Sequence, residues 1–231
     1  EGAVLGEGET GEESEDSGTE DDGEAVFRRE VSETFLRCVC EKFDQTNAVI
    51  ELNALKIAED RTFADCARYV MLTLMSLGLP APRDTNPDYR KLFASGVPAG
   101  DAAGKSALLK GFMARLVEWS GLLQRFLKVQ DDQIELLLTI EEWCSEEGAA
   151  GARDVTGLYA DIFPQVLKLL YDKDILSEEA VLQWAEERKD ADAADRVFLD
   201  KAAPFIQWLQ EAEAESDEGS DEDEDEDEDE D

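Results

Sequence analysis

Histidine is absent from the 231 residues. That excludes a Ser-His-Asp triad, a Cys-His dyad and any zinc site that uses an imidazole. Cysteine is scarce, and its four copies, Cys38, Cys40, Cys66 and Cys144, sit inside apolar helical patterns. Reduced, buried thiols are expected rather than disulfides, because nothing marks the chain as secreted. Cys38 and Cys40 are two positions apart, which on a helix turns them about 200° away from each other, so they cannot share a metal. Long hydrophobic runs are missing too. The longest, Tyr69 to Leu79, is broken by Thr73 and Ser76 and is too short to span a bilayer. The opening residues are acidic rather than basic, unlike a signal peptide. A cytoplasmic location and no cofactor are the expectations. Because the first residue is Glu and not Met, the chain is also expected to be a piece of a longer protein.

Positive charge is missing from both ends. No Lys or Arg precedes Arg28, where Glu1 to Glu24 carries 11 acidic residues, and none follows Lys201, where Glu211 to Asp231 carries 16. These ends hold −27 of the net −36 and leave −9 for the middle. The middle is long enough for one domain with a sizeable core. Such a balance argues strongly against a nucleic-acid or anionic-membrane surface, since neutralising phosphates needs a basic stripe. Basic protein segments suit it better. Residues 1–24 read as a disordered acidic linker, and 216–231, ending in an Asp-Glu alternation, as a disordered acidic tail.

Between the ends the apolar spacing is helical. Phe27, Val31, Phe35 and Cys38 form a first stripe, broken at Asp44 to Asn47. A second helix is predicted from Ala48 to Ala58. Thr62 is placed to cap a third, with Phe63, Cys66, Val70 and Leu74 spaced for burial before Gly78 and Pro80 end it. Pro80 to Gly104 holds four of the six prolines and reads as a long loop with one helical turn at Asp88 to Ala94. Helical spacing returns at Leu108, Phe112 and Leu116 and again at Leu123 and Phe126. Asp131 or Asp132 is expected to cap the next helix, with Ile134, Leu137 and Leu138 inward. Thr156 to Tyr171 follows, with Pro164 kinking it or marking its start. Ser177 is the expected N-cap of the next helix, with Glu178 and Glu179 in its first turn. A last helix carries Phe198, Ala202, Phe205 and Leu209. No stretch alternates at strand period. The fold class is therefore all-α, an irregular HEAT-like solenoid of antiparallel helical pairs with disordered acidic ends.

Gly100-Asp-Ala-Ala-Gly104-Lys105-Ser106 imitates a phosphate-binding loop but has three residues between its glycines where four are needed, and it follows a Pro-rich segment instead of a strand. Nucleotide binding by this chain is not expected. Two other segments place bulky rings inside acidic runs. One is Ile140 to Glu147, with Glu141, Glu142, Trp143, Glu146 and Glu147. The other is Phe205 to Glu215, with Trp208, Glu211, Glu213 and Glu215. A Trp flanked by carboxylates suits a basic partner, because lysine stems can cover the ring while the ammonium groups meet the acids. The same rings could equally be core, and for Phe205 core is the preferred reading.

These two boxes, with Ile175-Leu-Ser-Glu-Glu-Ala-Val-Leu-Gln-Trp184 between them, resemble the C-terminal domain shared by initiation factor 5 and the epsilon subunit of initiation factor 2B. Phe27-x-x-Glu30-Val31-x-x-Thr34, Ile50-Glu51-Leu52-Asn53-Ala54-Leu55-Lys56 and Thr62-Phe-Ala-Asp-Cys66-Ala67 tilt the resemblance to epsilon. It covers Val26 to Glu215 and is weakest from Pro80 to Gly104. The resemblance implies that 25–215 is a HEAT-like exchange domain releasing GDP from initiation factor 2 without covalent chemistry. It places the exchange-critical positions at Thr34, Ile50 and Glu51, with Glu51 the essential carboxylate. It also implies that the two acidic–aromatic boxes hold Lys-rich segments of the beta subunit of initiation factor 2, while Glu51 acts on its gamma GTPase subunit. The other subunits of initiation factor 2B would be partners of the full-length protein. The alternative is a non-catalytic adaptor that assembles preinitiation complexes, as in initiation factor 5. An adaptor needs the acidic boxes but not the Thr34 and Ile50-Glu51 patch.

Overall fold

The computed structural model describes residues 17–145, 153–193 and 196–218. Their regular structure is helical, apart from one isolated bridge between Pro80 and Ala94, so the chain is all-α. The helices are α1 Ser17–Glu41, α2 Gln45–Ala58, α3 Phe63–Ser76, α4 Ala102–Phe126, α5 Gln130–Ser145, α6 Arg153–Asp161, α7 Phe163–Asp172, α8 Glu178–Lys189 and α9 Arg196–Glu218.

Short polar side chains set several of the starts. Asp44 accepts the Asn47 amide before α2, and Asp101 accepts the Gly104 amide before α4. Ser177 caps α8 as expected. Thr62 forms a reciprocal box, in which its hydroxyl accepts from the Asp65 amide at 3.0 Å while the Asp65 carboxylate accepts from the Thr62 amide at 2.8 Å. Each such bond satisfies an amide that the helix leaves without a carbonyl. Burial raises the Asp65 carboxyl, but the bonds from Thr62 and the Arg68 guanidinium outweigh it and hold the group below its ordinary value. One detail differs from the sequence reading, and one open alternative is decided. Helix α5 starts at Gln130, so Asp131 and Asp132 lie inside its first turn instead of capping it. Pro164 lies in the first turn of α7, where its missing amide costs no hydrogen bond, so it starts a helix and does not kink one.

The first and last helices reach past the positions expected to bound the helical part. Helix α1 begins at Ser17 and not after Glu24. Glu24 belongs to the fold: its carboxylate accepts a hydrogen bond from the Tyr69 hydroxyl and pairs with Arg61 at 2.8 Å. At the other end α9 runs to Glu218, three residues into the expected tail. The remaining residues of 1–24 and 216–231 lie outside the described residues.

Packing passes from helix to helix along the chain. Helix α3 touches α1, α2, α4 and α5, and α5 in turn reaches α6 and α8. Tyr159 joins the two halves of the core. It is fully buried, its hydroxyl donates to the Met75 carbonyl at 2.7 Å, and its ring meets Phe112 at 6.0 Å and Trp143 at 5.6 Å. Beyond it, Phe163 stands between Trp184 and Phe198. Cys38, Cys66 and Cys144 are buried free thiols and Cys40 is half-buried. Burial pushes the first three up to about 11, 12 and 12.

The proline-rich segment is held against α3. The Ala94 amide bonds to the carbonyls of Leu77 and Leu79, both at 3.1 Å, and Arg90 donates to the Thr85 and Arg83 carbonyls. The expected helical turn is present as a short 3-10 turn at Arg90–Leu92. The glycine-rich decoy is the entry to α4. A Cβ on Gly104 would stand 2.0 Å from the Ala99 carbonyl oxygen, so glycine is needed there for a close backbone approach and not for a phosphate.

Candidate functional site

The first group of candidate residues lies on α1 and α2. Val49 and Leu52 turn inward and fix the rotation of α2. Ile50 is therefore turned outward and is 60% exposed. Glu51, at the edge of the buried face, is half-exposed and pairs with Arg37 of α1 at 2.7 Å. Thr34, partly buried, precedes Arg37 by one turn and so shares its face of α1. Thr34 and Glu51 are thus tied to one locality through Arg37, a residue the sequence reading missed. The outward face of α2 continues through Ala54 to Ile57, which is 66% exposed. These apolar positions, spaced i, i+4, i+7 beside a carboxylate, form an edge that is exposed among the described residues. Their spacing was legible in the sequence, but which of the two α2 faces is buried was decided by α1, α3 and α4.

The α5 box behaves differently from the expectation. Glu141 is buried, and its carboxylate accepts from the Trp184 indole at 3.0 Å and pairs with Arg188 at 2.5 Å. Trp143 is buried against Tyr159. Both residues therefore hold α5 to α8 and α6, whereas they were expected to face a partner. Glu142 is exposed. With the edge of Trp143 it lines a groove of about 710 Å³ walled by Arg28 and Arg29 of α1, Tyr69 and Thr73 of α3 and the 82–93 segment. Glu146 and Glu147 lie outside the described residues.

In the α9 box Trp208 is at the surface, 50% exposed, and Glu211 is exposed one turn later. Phe205 packs partly buried against the core, as expected, and stacks on Trp208 with ring centroids 5.9 Å apart. Tyr171 of α7 meets both rings edge-on, at 5.7 and 6.3 Å. Its phenol is raised by burial and by the neighbouring Glu178 carboxylate. The ammonium of Lys168 stands over Trp208, 5.9 Å from the ring centroid, and is held by both oxygens of Asp172 at 2.7 and 2.8 Å. Helix α7 is thus half of this aromatic surface, which the sequence reading confined to α9. The side chains of Glu213 and Glu215 lie outside the described residues.

Among the described residues no helix is long and apolar enough to cross a membrane. Comparison with known proteins finds that the family model W2, described as eIF4-gamma/eIF5/eIF2-epsilon, matches residues 132–219. The chain is 29% identical over 187 residues, 81% of its length, to translation initiation factor eIF2B subunit epsilon of Dictyostelium discoideum, and spans 23% of that protein. It is 35% identical over 105 residues, 46% of its length, to eukaryotic translation initiation factor 5 of Phaseolus vulgaris, spanning 22% of it. With eIF5-mimic protein 1 of Mus musculus it is 31% identical over 101 residues, 44% of its length and 22% of the relative. The chain thus spans less than a quarter of each of these relatives. The α5 and α9 boxes fall within the matched segment, and the resemblance to epsilon extends well beyond it toward α2. Residues 132–219 therefore match the W2 model of eIF4-gamma/eIF5/eIF2-epsilon, in a chain similar to translation initiation factors.

Proposed function

We propose that this helical domain acts in translation initiation as a guanine-nucleotide exchange module for initiation factor 2, with Glu51 at its working edge. The observation that carries the reading is the presentation of Glu51. A carboxylate with outward apolar neighbours at Ile50 and Ile57 is held, among the described residues, by a half-exposed pair with Arg37. Such a pair is worth about 0–1 kcal/mol, so Glu51 can change partners at little cost. An exchange factor breaks no covalent bond and works by stabilising the nucleotide-free GTPase more than the bound one. Glu51 would do this by taking over a phosphate-binding lysine of the gamma subunit or by competing for Mg²⁺ coordination, while the apolar edge seats against the protein around it. The matched length supports epsilon-like action, because a stretch of 187 residues in a chain of 231 must include Ile50 and Glu51 wherever it starts. In the same reading Trp208, Glu211 and Glu142 receive Lys-rich segments of the beta subunit, and the acidic ends raise the association rate.

The test is release of fluorescent GDP from purified initiation factor 2, wild type beside Glu51→Ala. Loss of a charge pair that is buried only in the complex costs about 2–5 kcal/mol, so kcat/KM should fall at least about 30-fold with the fold intact. Full activity in a folded Glu51→Ala variant would overturn the mechanism. The adaptor reading is favoured by one specific observation, the confinement of the W2 match to 132–219, which leaves out α1 to α4. Binding to initiation factor 2 without any acceleration of release would establish it.

A further inference from the structure

The aromatic surface at α7 and α9 already holds a lysine, and that lysine is its own. Lys168 lies over the Trp208 ring and is chelated by Asp172, with Tyr171 and Phe205 closing the side of the ring. A ring face, a carboxylate and an apolar wall are what an alkylammonium side chain needs. We propose that the lysine-binding site is shared between α7 and α9, and that Lys168 is its resident occupant, which a lysine of an incoming basic peptide must displace. The proposal rests on the reading of Trp208 as a lysine-binding residue given above and adds the α7 half and the internal competitor.

Three consequences follow from the geometry. Asp172 is a ligand of the site, although it lies outside both acidic boxes. Removing Lys168 frees the ring face and the carboxylate together. And the ring's share of the gain depends on Trp208, because without the ring Lys168 blocks only the Asp172 carboxylate.

The experiment uses the intact chain and a fluorescently labelled oligolysine peptide at physiological salt, read by anisotropy. Lys168→Met is compared with Lys173→Met, which removes the same charge next to the same helix and so controls for general electrostatics. Lys168 is an exposed helix residue, so folding is kept, and circular dichroism checks it. Lys168→Met should bind about two- to five-fold more tightly than Lys173→Met, the gain expected for one exposed cation–ring contact. In a Trp208→Ala background the difference between the two lysine variants should shrink to what the freed Asp172 carboxylate alone supplies. Equal affinities of Lys168→Met and Lys173→Met, or weaker binding by Lys168→Met, would overturn the resident-competitor proposal. Unchanged binding by Trp208→Ala alone would instead overturn the lysine-binding reading beneath it, so the two failures are distinguishable.

Discussion

Truncation of Glu141 separates scaffold from binding surface in the α5 box. The side chain is 5% exposed, and it joins α5 to α8 through the Trp184 indole and the Arg188 guanidinium. Glu141→Ala removes the acceptor of a buried N–H and the counter-charge of an arginine whose side chain is 21% exposed. Breaking a buried pair from one side costs about 3–5 kcal/mol. Because water reaches part of Arg188, the lower end applies, about 3 kcal/mol. With a urea m-value of about 2 kcal/mol per M, the unfolding midpoint should drop by about 1.5 M. Glu141→Gln keeps an acceptor for Trp184 and should lose less. Glu142→Ala, one residue on but exposed, should stay within about 0.5 kcal/mol of wild type. Urea unfolding followed by circular dichroism reads all three. Any loss of peptide binding by Glu141→Ala should then track the unfolded fraction, whereas a loss by Glu142→Ala should occur in a fully folded protein. A Glu141→Ala midpoint within about 0.3 M of wild type, equivalent to about 0.6 kcal/mol, would refute the reasoning.

The other predictions use the helix ends and the core. Thr62→Ala should destabilise by about 1 kcal/mol, the usual worth of an N-cap, seen as a lower urea midpoint. Asp65 has a folded pKa below its unfolded one. Its contribution is therefore present above the ordinary carboxylate range and is lost as pH falls through the folded value. Asp65→Asn should be less stable than wild type at neutral pH, and the gap should close below about pH 4. Gly104→Ala places a methyl against the Ala99 carbonyl and should cost about 1–3 kcal/mol, lowering Tm in a thermal melt. Thiol titration at pH 8 should modify Cys40 first, with Cys38, Cys66 and Cys144 reacting only on unfolding, because burial both shields those three and raises their thiols.

Much of the architecture is local and was therefore legible. Ser177, Thr62 and the proline at position 164 act within one helical turn, and their effect depends on neighbours three or four residues away. Apolar spacing at helical period likewise announces α1 to α9 without reference to the rest of the chain. The decoy at Gly100 to Ser106 could be dismissed by counting, although why glycine stands at 104 required the close approach of the Ala99 carbonyl.

What sequence left open is which polar residues the fold would consume. Glu141 and Glu142 are adjacent and chemically identical. One is buried and the other exposed, because α8 brings Trp184 and Arg188 to a single face of α5. Glu24 sits in a run with little to bury, yet it is drawn into the fold by Tyr69 and Arg61, which are more than thirty-five positions away. Arg37 and Glu51 pair across two helices, and Lys168 finds Trp208 forty residues later. The sequence by itself determined that the chain makes helices, where most of them start, and which acidic–aromatic segments were candidates for a basic partner. Only the tertiary structure decided which of those carboxylates and rings remain at the surface, since the desolvation of a charge is set by the helices packed over it and not by its neighbours along the chain.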